Sequence, residues 1–230
     1  MALDFDGNDQ YVTVSQILTT PTEISICGWF KADDTSAEYR VVAFNNKEPY
    51  ISFRLNEGGT ANKIQGTLYD NVSTKTIDTS SYTVTNWNHI CATGKESDNF
   101  HLYVNGVEIG SGVSIGNFSY VNVGGQINNV IGAGRTYNYP FLGLIGDVRV
   151  YNRVLSLAED KVIYEGVGSD NIVNGLEGRW LMNELSSGSV ATGAGSVKDI
   201  SPAGNHGTAV NDPIYRPAPM RLYKPQILTG

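Results

Sequence analysis

Along this chain, apolar and polar positions alternate with a period of two far more often than they recur every three or four residues, which predicts strands. Residues 23–31, EISICGWFK, are the clearest case. Ile24, Ile26, Gly28 and Phe30 fall on one side and Ser25, Cys27 and Trp29 on the other, so apolar groups on both sides predict a central strand covered from each face. Residues 100–110, FHLYVNGVEIG, read as a hairpin: Leu102 and Val104 alternate with His101 and Tyr103, Asn105-Gly106 carries the type I′ signal, and Val107 and Ile109 resume. In residues 141–160, FLGLIGDVRVYNRVLSLAED, Val148 and Val150 point one way and Asp147, Arg149 and Tyr151 the other. That predicts a strand with one buried and one polar face. The pattern stops at Asn152-Arg153. Ser156, with Glu159 three residues on, is a capping box and predicts a helix over 156–165 with Leu155, Ala158 and Val162 on its apolar side.

The remaining strands are shorter. Residues 2–14 read as strand, turn and strand about Asp6-Gly7-Asn8-Asp9, and 63–69 and 72–78 straddle Asp70-Asn71. Further strands are expected at 40–45, 50–56, 86–93, 119–123, 130–134 and 175–184. Regular turns without strand–helix alternation give an all-β fold, a two-sheet antiparallel jelly-roll sandwich with one short helix. A chain of 230 residues accommodates one such domain, assigned to residues 1–210. Pro213, Pro217, Pro219 and Pro225 make residues 211–230 a proline-rich tail, expected to be extended and docked or partner-bound. Trp29, Trp87 and Trp180 sit in strand patterns and are expected in the core.

Composition changes this picture in three places. The formal net charge of −7 argues against nucleic acid as a partner. No apolar run is long enough for membrane insertion, and Met1 leads directly into ALDFDG, so no signal peptide is predicted. Cys27 and Cys91 each lie in an apolar strand pattern, which favours two buried free thiols over the alternative, a disulfide between neighbouring strands.

Four segments in order, ALDFDGNDQYVTV, ISICGWFK, NWNHICATGKESDNFHLYVNGVEIGSG and FLGLIGDVRVYNRVLSLAED, span residues 2–160. Together they resemble the laminin-G-like branch of the concanavalin A-like lectin/glucanase superfamily. GLEGRWLMNELSSGS and VKDISPAGNHGT resemble a segment that in this family usually precedes the ALDFDG strand; here it follows. The resemblance implies a circular permutation, with residues 175–208 filling the edge that the family's N-terminal strand fills. The alternative is a truncated second domain, for which the roughly 55 remaining residues are too few.

The resemblance also implies candidate sites. Glycosidase relatives need two carboxylates flanking the scissile bond, and their E-x-D-x-x-E strand signature is missing here. Glu159, Asp160 and Glu165 are expected to cap or solvate the helix, and His89, His101 and His206 lack zinc-ligand spacing. The expectation is therefore a non-enzymatic protein, with a glycoside hydrolase relative the remotest alternative. Relatives hold a structural Ca2+ between the opening turn and the closing strand, which carries over to Asp6, Gly7, Asp9 and Asp147. This chain departs from the family's Ile-Asp-Asp-Val-Arg in reading Ile145-Gly146-Asp147, so turn carboxylates that bond their own backbone compete with an ion. Arg135, Tyr137, Asn138, Tyr139 and Tyr120 form the expected ligand-binding set, rings against sugar faces with Asn and Arg as hydrogen-bond partners. The same composition suits a protein interface. Expected partners are thus a glycan or another structural protein, with a homo-oligomer left open. A lectin acts outside the cell, and a virion component is released by lysis without secretion. The expected setting is therefore recognition or attachment at a bacteriophage virion surface; the alternative is a secreted, extracellular carbohydrate-binding module.

Overall fold

The computed structural model describes residues 1–15, 17–18, 21–44, 51–70, 72–117, 129–134 and 136–219. Among them one sheet runs β10 (Val107–Ser114), β9 (Asn99–Val104), β8 (Asn88–Lys95), β3 (Glu23–Ala32), β12 (Leu142–Tyr151), β1 (Ala2–Asp6) and β16 (Ile214–Arg216), with β13 (Leu176–Trp180) also on β12. The other runs β14 (Gly193–Val197), β15 (Gly207–Val210), β2 (Tyr11–Val14), β11 (Asn129–Ile131), β4 (Tyr39–Phe44), β5 (Ile51–Leu55), β6 (Ile64–Tyr69) and β7 (Thr74–Thr79). Adjacent strands are antiparallel throughout, and the fold is the expected jelly-roll sandwich with one helix, α1 (Leu157–Gly166). Expected strand 119–123, turn 46–49 and the tail from 220 onward fall outside the described residues.

The period-two pattern works as physics predicts. Ile24, Ile26 and Phe30 of β3 enter the core between the sheets, with Phe5, Phe53, Phe100, Phe141 and Trp180. Cys27 and Trp29 of the same strand face outward, under α1 and the loops around it. The β9–β10 turn has Asn105 at φ 53° and Gly106 at φ 75°, the type I′ geometry that twists with its strands. A Cβ on Gly106 would come within 3.2 Å of Lys161 and Tyr164, so this turn is also where the sheet tucks beneath the helix. The first two strands behave differently from a hairpin: β1 joins one sheet and β2 the other, so residues 7–10 are a corner of the sandwich.

β12 organises the first of the two eight-stranded sheets. One side pairs with β3 along its length; the other takes β1 at Leu142–Ile145 and β13 at Val148–Tyr151, end to end. The segment after α1 is thus built into the sandwich: β13 and β16 enter one sheet, β14 and β15 the other. Among the described residues, these four strands share the two sheets with the rest of the chain. The tail expected from residue 211 contributes β16, which pairs with β1.

Three local expectations are corrected. Asp147, Arg149 and Tyr151 are not solvent-facing, because α1 and residues 166–172 cover that side of β12. The capping box forms as predicted, yet the helix buries Asp160 and Ile163 while Ala158 and Val162 face solvent, so a carboxylate predicted to be solvated is in the interior. Cys27 and Cys91 stand directly opposite in the β3–β8 register and are disulfide-bonded, not free thiols. Trp29 and Trp180 are buried as expected, and Trp87 is half-buried.

Candidate functional site

The expected ligand loop lies at one end of the sandwich, between β11 and β12. Its closure is local and backbone-driven. Gly134 N–H donates to the Asn138 carbonyl at 2.7 Å, Tyr137 N–H to the Gly134 carbonyl at 2.8 Å, and Phe141 N–H to the Gly132 carbonyl at 2.8 Å. Arg40 N–H on β4 donates to the Tyr139 carbonyl at 3.0 Å and ties the loop to the second sheet. In this tight path Tyr137 and Tyr139 adopt φ 61° and 51°, left-handed conformations unfavourable for a residue with a bulky side chain.

Both rings are held outward and backed. Tyr137 is 40% exposed and stacks on Tyr11 of β2, ring centroids 4.4 Å apart and planes inclined by 22°. Tyr139 is 41% exposed, and the Arg40 guanidinium lies 4.2 Å from its ring centroid. Arg40 is itself fixed by Glu57 at 2.9 Å. Asn138, between the two tyrosines in sequence, is also exposed. Burial, then the neighbouring Tyr137 and Asp9, push the Tyr11 hydroxyl above its ordinary range, so it remains a neutral hydrogen-bonding group. Arg135 and Tyr120, expected with them, lie outside the described residues. Tyr11 and Arg40 were missed by sequence reasoning because each belongs to a distant strand; only the packing of β2 and β4 against the loop adds them.

The opening turn abuts this loop, since Gly7 N–H donates to the Phe141 carbonyl at 3.0 Å. Asp6, Gly7 and Asp9 therefore stay together, with Asp6 Oδ1 accepting from Asn8 N–H at 2.9 Å in a self-contained turn. Asp147 does not join them. Asp6 pairs with Leu142, five positions and about 16 Å along β12 from Asp147 at roughly 3.3 Å per residue. Both Asp147 oxygens are taken: Oδ1 accepts from Arg149 Nε at 3.1 Å and Arg179 Nε at 2.8 Å, and Oδ2 from Arg149 Nη2 at 2.6 Å and Arg179 Nη2 at 3.3 Å. A carboxylate so occupied does not fit the calcium set.

Asp147 belongs instead to a buried ionic network. Arg149 reaches Asp170 in bidentate fashion at 2.7 and 2.6 Å, and Arg179 also donates to the Gly168 carbonyl at 2.8 Å. Burial alone would raise the Asp147 carboxyl, but Arg149 and then Arg179 outweigh it and hold it well below the usual carboxylate range. On the same outer face, beneath α1, His89 Nδ1 lies 3.4 Å from Asp160 Oδ1, beside the Cys27–Cys91 pair. Here burial pushes Asp160 up to about 7, and burial with the nearby Arg149 pushes His89 down to about 3.

The comparisons match this geometry in fold. A candidate carbohydrate-binding protein of Bacteroides ovatus superposes with a TM-score of 0.68 at 18% identity, covering 93% of this chain and 59% of that one. This chain thus spans about three-fifths of that protein's length. A heptameric SAP-like pentraxin of Limulus polyphemus gives 0.57 at 16% identity, covering 72% and 82%. The CBM40 of the Ruminococcus gnavus IT-sialidase, bound to α2,3-sialyllactose, gives 0.54 at 16% identity, covering 71% and 98%. No curated protein matches the sequence. The laminin-G-type family model described as the concanavalin A-like lectin/glucanases superfamily matches residues 6–159. With two sheets, a tryptophan strand and a closing strand-and-helix in the order that model covers, the chain belongs to the laminin-G-like family of the concanavalin A-like lectin/glucanase superfamily.

Proposed function

We propose that this protein is a non-enzymatic carbohydrate-binding module whose recognition surface is the loop carrying Tyr137, Asn138 and Tyr139, with Tyr11 and Arg40 as its fixed backing. The observation that carries the proposal is the pair of exposed tyrosines held in left-handed backbone conformations, each ring braced from behind. Backbone strain tends to be kept where a side chain must be presented in one orientation. A sugar presents a C–H-rich face that packs on an aromatic ring and hydroxyls that need donors and acceptors beside it; Tyr137, Tyr139 and Asn138 supply both. Rings already immobilised lose little entropy on binding. The carbohydrate-binding structures of similar fold support the same class of ligand.

A glycan array on the purified chain, with α2,3-sialyllactose and neutral oligosaccharides as first probes, tests this. Specific binding lost in both Tyr137→Ala and Tyr139→Ala, with melting temperature held, is the expected result. Binding unaffected by both substitutions, or no binding to any glycan, overturns it. The finer assignment, attachment at a bacteriophage virion surface, is supported by the sequence argument alone; density for this chain on purified particles is its test.

A further inference from the structure

Beneath α1, well apart from the tyrosine loop, four side chains converge that glycan binding does not use. Cys27 and Cys91 face each other across β3 and β8, and both sulfurs lie within 4.8 Å of a carboxylate oxygen of Asp160. His89, two residues before Cys91 on the same face of β8, places Nδ1 3.4 Å from Asp160 Oδ1. The exposure of all four is 1% or less. Neither Asp160 oxygen and neither His89 ring nitrogen has a hydrogen-bond partner.

Buried polar atoms are nearly always satisfied, so four unpartnered atoms on two facing side chains, with an Asp160 oxygen within 4.8 Å of both sulfurs, need a physical reason. The donor set supplies one. Two sulfurs, an imidazole nitrogen and a carboxylate oxygen are what a tetrahedral, borderline-soft divalent ion takes. A hard ion such as calcium is disfavoured, because it requires six or more oxygens.

We propose that, once the Cys27–Cys91 disulfide is reduced, Cys27, Cys91, Asp160 and His89 bind one zinc-class divalent ion under α1. The chemistry balances with an external dithiol as reductant. It delivers two electrons and two protons to the disulfide and leaves as its own cyclic disulfide. The two cysteine thiols then release their protons to solvent as their sulfurs bind the ion. In the oxidised chain the sulfurs are bonded to each other and the site is closed to metal. Disulfide and metal are thus alternative cross-links between the same two strands, the second also fastening α1 through Asp160.

The full chain, reduced with a dithiol, freed of it anaerobically and titrated with Co2+ and then Zn2+, provides the test. Expected are one ion per chain and a thiolate-to-cobalt charge-transfer band, displaced by zinc. Oxidised protein and the Cys27→Ser/Cys91→Ser double variant should show neither. Asp160→Asn and His89→Phe should each weaken binding at least about tenfold. Reduced protein with two titratable thiols and native circular dichroism that binds neither ion overturns the proposal, as does binding indifferent to both Asp160→Asn and His89→Phe. If reduction unfolds the chain, recovery of a cooperative transition on adding zinc supports the site, and no recovery overturns it. Glycan binding by the oxidised chain is unaffected by any of these outcomes.

Discussion

Two buried clusters of ionisable groups lie on the outer face of the sheet built around β12 and treat the same problem in opposite ways. In the network of Asp147, Arg149, Asp170 and Arg179, two carboxylates meet two guanidinium groups, and each Asp147 oxygen accepts from both arginines. Beneath α1, the side chains of Asp160 and His89 are equally buried and neither makes a hydrogen bond. The first cluster is complete and joins β12 to β13 and to residues 166–170, so it reads as a structural lock. The second is incomplete without something else. Burial alone therefore does not mark a site; burial without satisfaction does.

The largest expected effect comes from breaking the complete cluster. Asp147→Asn leaves two buried arginines facing one remaining carboxylate and should cost about 3–5 kcal/mol, read as a fall in the urea midpoint. Asp160→Asn in the oxidised, metal-free protein should cost nothing at neutral pH, because it removes a carboxyl that burial disfavours and that makes no hydrogen bond; a loss as large as that of Asp147→Asn would erase the contrast between the clusters.

Acidity should separate them by sign. The Asp147 carboxyl is depressed, so its stabilisation is present at neutral pH and is lost as pH falls below the ordinary Asp value of 3.8. Asp160 is raised to about 7, so its contribution is fully present below the unfolded value of 3.8 and lost as pH rises through 7. Denaturation of wild type and Asp160→Asn from pH 3 to pH 8 should show the wild type falling progressively behind the variant up to about pH 7 and keeping a constant deficit above it. A constant difference throughout would mean that the Asp160 carboxyl titrates alike in the folded and unfolded states.

The smallest effect is expected at the helix that roofs the second cluster. Ser156 Oγ accepts from Glu159 N–H at 3.3 Å, and Glu159 Oε2 accepts from Ser156 N–H at 2.9 Å. Ser156→Ala should cost about 1 kcal/mol. Amide exchange should rise first at α1 and leave β12 and β13 unchanged if the two clusters are independent.

Much of this was legible in the chain. Alternation in residues 23–31 gave β3 its two covered faces, and Asn105-Gly106 gave its turn type, because both depend on neighbours in sequence. The capping box was equally local, and it formed. The face α1 presents was not legible. Periodicity favoured Ala158 and Val162, but residues 152–156 fix how the chain enters the helix. Ser25 Oγ donates to the Arg153 carbonyl at 2.6 Å and accepts from Leu155 N–H at 2.9 Å, anchoring that entry to β3. The helix is therefore rotated so that Asp160 points inward.

The same division runs through the candidate sites. The resemblance to lectin-like sandwiches, together with a short loop rich in aromatic and amide groups, marked Tyr137, Asn138 and Tyr139 as ligand-like. Tyr11 and Arg40 joined them only through tertiary packing. Asp147 looked like a calcium ligand while it was a residue in a motif, and became a salt-bridge acceptor once β13 placed Arg179 across from Arg149 in the β12 register. The sequence by itself determined the fold class, the turns and the helix cap, because these follow from side-chain period and local backbone chemistry. Which polar groups are buried, which are satisfied and which stand unpartnered beside a pair of sulfurs was decided only by tertiary structure, because long-range pairing sets the dielectric and the partners that give a charged side chain its role.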